Sequence, residues 1–314
     1  MPRDSNFPQR LQPMLATLAD APFDDPEWVF ETKWDGFRMI ASIECGQVTL
    51  YSRNGVIVSG RYPPVATALG KLRRAAALDG ELVALDARGV SRFQLLQNAL
   101  RSDAKLLYCL FDVMFLDGED LRGLPLLERK ERLRRALPDD PLLAFSEHRP
   151  EQGIKFFKEA EKLGLEGVMG KRAASPYRSG ERSADWLKIK TTRRQEAVIV
   201  GFTTPRRSRP YFGALVLAVR DGKAWRYIGH VGTGFSQAAL KDLHGKLSLL
   251  RTEASPFKER VKDEAATTWV KPKLVAEIKF TEWTKAGEMR HPAYVGLRDD
   301  KRPQDVVQER EIHR

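Results

Sequence analysis

Residues 28–116 are a succession of short apolar segments, each closed by a turn signal: WVFETKWDG, FRMIASI, VTLYSRNG, ALDGELVALD and LLYCLFDVMFLDG. Apolar residues alternating with polar ones and stopped at Asn-Gly or Asp-Gly form the pattern of strands joined by tight turns, so this half is sheet-rich. Helical spacing interrupts it at roughly 64–77, 127–137 and 151–163, where apolar residues recur at three and four and the faces between them are charged. The class this predicts is mixed α+β.

After the strand WLKIK comes TTRRQ, a polar and basic run that is the best linker candidate. With 314 residues the chain exceeds the usual span of one domain. The expected division is therefore 1–192 and 193–314. The second part offers AVIVGFTT, FGALVLAVRDG, AWRYIGHVG and a late strand around LVAEIKFTEW, with a helix near 237–250. Short strands of this kind with one helix suit a small OB-type β-barrel. No internal repeat or low-complexity tract is evident.

The 53 Lys and Arg against 42 Asp and Glu leave a formal charge of +11, which suits a partner carrying many phosphates, or simply a solvated basic surface. Two cysteines, Cys45 and Cys109, are too few for a disulfide framework or a four-thiolate zinc site, so a reducing cytosol is the natural compartment. Neither a signal-peptide core nor an uncharged apolar stretch of about 18 residues appears, which disfavours secretion and membrane insertion.

The sharpest local feature is Lys33-Trp34-Asp35-Gly36, with Glu31 two residues before the lysine and Arg38 two after the glycine. On an extended segment alternate side chains share a face, so Glu31 and Lys33 point together, and the Asp-Gly turn returns Arg38 on the next strand. A carboxylate, an amine and a guanidinium could thus line one pocket. A nucleophilic lysine must be neutral, and its reference pKa of about 10.4 opposes deprotonation at pH 7 by about 4 to 5 kcal/mol. Burial, neighbouring positive charge or a bound divalent ion would favour the free amine.

Lys188 and Lys190 stand two apart in WLKIK, so their ammonium groups face one side, costly in a core but useful around a triphosphate. The alternative is a pair of surface lysines on an edge strand. Glu81 in LDGELVALD and Glu166 in LEGVMGKR sit within apolar strands, where a carboxylate needs a partner. That partner is a hard divalent ion, a ribose hydroxyl or a salt-bridging lysine or arginine. Arg53 precedes an Asn-Gly turn and could reach a phosphate, or be an ordinary turn arginine. Phe111 could stack on a nucleobase or be core.

Taken in order, KWDGFR, YSRNG, LDGELVALD, CLFDVMFLDG, LEGVMGKR and WLKIK resemble the successive motifs of the covalent nucleotidyltransferases, specifically the ATP-dependent DNA ligases. PRRSRPYFGALVLAV, YIGHVGTGF and RHPAYVGLRDDK resemble the OB domain of bacterial end-joining ligases. The resemblance covers nearly the whole chain and implies an α+β nucleotidyltransferase (adenylation) domain of antiparallel sheets and helices followed by an OB-fold β-barrel. It makes Lys33 the adenylylated nucleophile, with Glu31 and nearby backbone reading the adenine and Phe111 stacking on it. Glu81 would hold the ribose or join the metal, and Glu166 would support the catalytic Mg²⁺ or Mn²⁺. Lys188 and Lys190 would hold the ATP phosphates, and Arg38 and Arg53 would engage AMP or the 5′-phosphate. Arg290 and Arg298 would orient departing pyrophosphate with help from Asp299 and Lys301.

These roles imply three in-line phosphoryl transfers: ATP to Lys33, AMP to the DNA 5′-phosphate, and displacement of AMP by a 3′-hydroxyl. Such chemistry needs charge neutralisation and alignment more than acid-base catalysis. The linker near Thr192 would act as a hinge, and Arg193-Arg194 and Arg206-Arg207-Arg209 would contact DNA phosphates. The resemblance further implies a monomer acting on nicked or broken double-stranded DNA in repair or end joining, with Ku and end-processing proteins as partners and the bacterial cytosol as its place. The rival readings are an RNA ligase, a GTP-dependent RNA-capping enzyme, and a non-catalytic nucleic-acid-binding scaffold. The family often joins polymerase and phosphoesterase domains to this core. The chain resembles neither, so a stand-alone ligase and one excised domain are both open.

Overall fold

The computed structural model describes residues 7–8, 11–44, 46–99, 104–205, 210–309 and 311–312. Cys45 and Arg206-Arg207-Arg209 lie outside the described residues. The chain divides into two compact units, Met1–Thr191 with Glu311–Arg314, and Thr192–Arg310. The last strand thus groups with the first unit, where the sequence reading put all of 193–314 in the second.

The first unit opens with β1 (Leu15–Ala19), β2 (Asp25–Thr32), β3 (Phe37–Glu44), β4 (Gln47–Ser52), α1 (Pro63–Gly70), β5 (Ala76–Leu85), α2 (Phe93–Asn98) and β6 (Lys105–Leu116). It continues through β7 (Glu119–Asp120), α3 (Leu126–Ala136), β8 (Leu143–Phe145), β9 (His148–Glu151), α4 (Gly153–Leu163), β10 (Gly167–Arg172) and β11 (Arg182–Lys190). The second unit contains β12 (Arg194–Thr203), β13 (Leu215–Asp221), β14 (Ala224–Val231), α5 (Gln237–Ser248), β15 (Thr267–Lys279) and β16 (Ala293–Leu297), before β17 (Glu311–Ile312) rejoins the first.

In the first unit one sheet has the order β17-β1-β11-β10-β2-β9 and the other β4-β3-β5-β6-β7, with β8 added beside β6. Strand alternation divides each between two cores. Val29 of β2 and Trp186 of β11 join Ile40, Ala77, Phe111 and Phe115 of the second sheet in one cluster shared by both sheets. The alternate residues Trp28, Phe30, Leu187 and Ile189 pack instead with Phe156 and Ala160 of α4. Behind the second sheet, Phe37, Met39 and Ala41 pack with Val65 and Leu69 of α1 and Phe93 of α2. Glu31, Arg38, Lys188 and Lys190 share the parity of the inner-face residues, so the polar side chains of interest belong to the face between the sheets.

The second unit is a five-stranded sheet of order β14-β13-β12-β15-β16 around one apolar core, to which α5 adds Leu240, Leu243 and Leu247. An isolated bridge between Thr233, just after β14, and Ala293 of β16 links its two edges. That closure makes it the OB-like barrel the strand pattern predicts.

Candidate active site

The loop after β2 carries Lys33, and its neighbours pin it. The Lys33 amide donates to the Gly167 carbonyl (3.0 Å). The Trp34 indole donates to Ser146 Oγ (3.1 Å), and the Asp35 amide donates to Ser91 Oγ (3.1 Å). The Asp35 carboxylate accepts from the Phe93 amide (3.4 Å), the first residue of α2. A Cβ on Gly36 would lie 2.1 Å from the Leu82 carbonyl oxygen, so only glycine lets the chain turn this close to β5. So held, the Lys33 ammonium, 17% exposed, forms an ion pair with Glu166, 6% exposed.

Glu31 is buried rather than open to solvent. Its carboxylate accepts from Lys130 of α3 (2.8 Å), Lys171 of β10 (3.0 Å) and the Ser146 hydroxyl (3.3 Å). Burial pushes the Glu31 pKa up, but the two ammonium groups outweigh it and hold the carboxyl below the ordinary range. Burial, then the like charge of Lys130, brings Lys171 down to about 8 despite the pull of Glu31. Its ammonium lies 4.3 Å from the ring centroids of both Phe111 and Trp186.

Arg38 forms a fork on Asp79 (Nε 3.0 Å, one terminal nitrogen 2.6 Å) and lies over Phe111 and Trp186 (5.3 and 5.5 Å to the centroids). The Tyr177 hydroxyl donates to the same Asp79 (2.6 Å). Asp79 and the ion pair hold the guanidinium charged although burial opposes it. Glu81 lies opposite Arg38 in the β3–β5 register. Phe111 itself is buried, edge-on to Trp186. Lys188 and Lys190 pair in register with Met169 and Gly167, and Met169 pairs with Glu31, so β2, β10 and β11 bring these motifs side by side. Their strand lies inside the sheet between β1 and β10, which removes the edge-strand reading. Arg53 occupies the turn after β4, closed by the Gly55 amide on the Ser52 carbonyl (2.8 Å).

The second unit treats its two candidate arginines differently. Arg290 is exposed and paired with Glu282. Arg298 is held by Asp300 through two hydrogen bonds (2.8 Å each) and by Glu277 (3.2 Å), and Lys301 reaches Glu196 (2.7 Å). Arg194, expected on the DNA surface, is largely buried beside Glu277 (3.6 Å). Its charge stabilises this internal network rather than a solvent face.

Asp79, Lys130, Lys171, Ser146 and Trp186 were not singled out by the sequence reading. Parity would have found two of them: Asp79 stands two before Glu81, and Trp186 two before Lys188. Among the described residues no three His, Cys, Asp or Glu side chains form a metal cage. Glu166, one carboxylate beside the amine, instead fits an ion that takes most of its ligands from phosphate and water.

A lysine set at the mouth of a two-sheet domain, backed by a carboxylate and followed by an OB-like unit, is the arrangement of the covalent nucleotidyltransferases. The family model described as "ATP dependent DNA ligase domain" matches residues 13–190, and that of the "ATP dependent DNA ligase C terminal region" matches 208–301. The chain belongs to the ATP-dependent DNA ligase family. It is 41% identical over 314 residues to the multifunctional non-homologous end joining protein LigD of Pseudomonas aeruginosa, covering 97% of this chain and 37% of the relative. The corresponding protein of Mycolicibacterium smegmatis is 38% identical, covering 96% and 40%. The chain therefore spans less than half the length of these relatives. A solved structure of mycobacterial DNA ligase D complexed with ATP and MES superposes with a TM-score of 0.69 at 37% identity, covering 95% of this chain and 98% of that one. The ligase domain of M. tuberculosis LigD gives a TM-score of 0.52 at 36% identity over the same shares.

Proposed function

We propose that this chain seals breaks in double-stranded DNA, with Lys33 carrying AMP between ATP and the 5′-phosphate. The observation that carries the reading is the Lys33–Glu166 contact on a loop pinned at every residue from Lys33 to Gly36. Lys33, its ammonium proton first lost to solvent, attacks the α-phosphorus in line and pyrophosphate leaves, while Lys188 and Lys190 draw off charge from the phosphates and Phe111 and Glu31 hold the base. Glu81 binds the ribose and contributes to the metal environment. Arg38 keeps Phe111 and Trp186 in place and, with Arg53, meets AMP or the 5′-phosphate. Glu166 would hold Mg²⁺ or Mn²⁺, which when bound would neutralise charge at the reacting phosphate. Arg290 and Arg298 orient pyrophosphate, Arg298 by exchanging its carboxylates for phosphate oxygens.

The relatives are named for non-homologous end joining, so DNA ends, Ku and end-processing proteins are the proposed setting, with the chain acting as a monomer in the bacterial cytosol. Incubation with α-labelled ATP or GTP and Mg²⁺ or Mn²⁺, then denaturation, tests the core of this. ATP is expected to label the parent protein and not Lys33→Ala, and nicked DNA to discharge the label into a sealed strand. Preference for GTP points to capping chemistry instead. Absence of label after stripping with pyrophosphate leaves only a binding role.

A further inference from the structure

The carboxylate proposed to read the base is held by a residue outside all of the assignments above. Lys130 lies on α3 and is 1% exposed. Its ammonium donates to Glu31 Oε1 (2.8 Å) and to the Ser146 carbonyl (2.9 Å), and points at the Phe111 carbonyl (3.5 Å). One cation therefore ties the proposed base reader to the backbone of the proposed base stacker. Ser146 extends the tie, its hydroxyl donating to Glu31 Oε2 (3.3 Å) and accepting from Trp34 beside the nucleophile (3.1 Å).

A carboxylate offers about four acceptor positions and, when ionised, donates nothing. Among the described residues Oε1 takes Lys130, while Oε2 takes Lys171 and Ser146, which leaves one position on Oε1. An acceptor fixed there suits the 6-amino group of adenine and repels the 6-carbonyl of guanine. We infer that Lys130 is a positioning residue that orients Glu31 towards the adenine 6-amino group and thereby sets the preference for adenine over guanine nucleotides. This rests on the reading of Glu31 as a base contact. Removing Lys130 leaves Glu31 with Lys171, so the carboxylate is not stranded, but Oε1 loses the donor that aims it.

The test follows adduct formation on the full chain by intact mass, against nucleotide concentration, for ATP, GTP and purine riboside triphosphate, which lacks the 6-amino group. The parent is expected to favour ATP over the analogue by about tenfold or more. In Lys130→Met the ATP requirement rises about tenfold, the loss falls mainly on KM, and the ATP-to-analogue ratio collapses towards one; Lys130→Arg restores part of it. If the parent does not distinguish ATP from the analogue, the base-reading role of Glu31 fails and takes the inference with it. If the parent distinguishes them and folded Lys130→Met does so equally, the inference alone fails. Should Lys130→Met not fold, Lys130→Leu, which likewise removes the donor, decides in the same way.

Discussion

Two ammonium groups share one buried carboxylate, and burial together with the like charge of Lys130 outweighs the pull of Glu31 and brings Lys171 down to about 8. An ordinary lysine titrates near 10.4. Folding thus makes Lys171 harder to protonate, the unfolded chain binds more protons between about pH 8 and 10.4, and the penalty, complete below pH 8, is relieved as pH rises through that window. Glu31 gives the same sign in a lower window, its stabilisation present above the ordinary carboxylate pKa and lost on acidification. Lysine ε-carbon NMR should find one midpoint near 8, and Glu31→Gln should lower it further, because the carboxylate is what holds the proton on. A midpoint that rises in that variant would overturn this account of the trio. Lys33 and Glu166 were legible because spacing and motif coincide there. Lys130 was not, since ERKERLRR reads as a solvated charged face and its partner Glu31 is 99 positions away.

At the scale of elements, one tight constraint is the close approach of the Lys33 loop to β5. An alanine at Gly36 would place its Cβ 2.1 Å from the Leu82 carbonyl, so loop or strand must move by about an ångström. Gly36→Ala is expected to cost about 1–3 kcal/mol in urea unfolding and to slow lysine adenylylation by about a hundredfold, the usual penalty for misplacing a reacting atom on that scale. Adenylylation within twofold of the parent would show that the loop tolerates the shift. The strands of the first half were legible because period-two alternation and Asn-Gly or Asp-Gly turns agree. The first helix was read too long: α1 stops at Gly70, and residues from Ala76 belong to β5. Short α2 escaped notice because six residues carry too little periodicity, and Asp35, distant in sequence, helps satisfy its first amide. β17 was unreadable for the same reason, two residues whose pairing with β1 is wholly tertiary.

For the whole molecule the +11 charge matters only where it meets solvent. Arg194 and Arg298 are spent on Glu277 and Asp300 inside the second unit, and Lys130 and Arg129 on Glu31 and Asp112 inside the first. Such charges release no counterions when DNA binds, whereas each exposed cation that meets a phosphate steepens the salt dependence by about 0.9 in the logarithmic slope. Replacing Arg206, Arg207 and Arg209 together by alanine is therefore expected to weaken binding to nicked duplex and to flatten that slope by up to about three. Arg194→Ala should leave the slope unchanged and instead lower the melting temperature, since it strands Glu277 with one partner fewer. Fluorescence anisotropy across 50 to 200 mM salt separates the two outcomes. A flattened slope in Arg194→Ala would return that arginine to the DNA surface and contradict the internal role its contacts assign it.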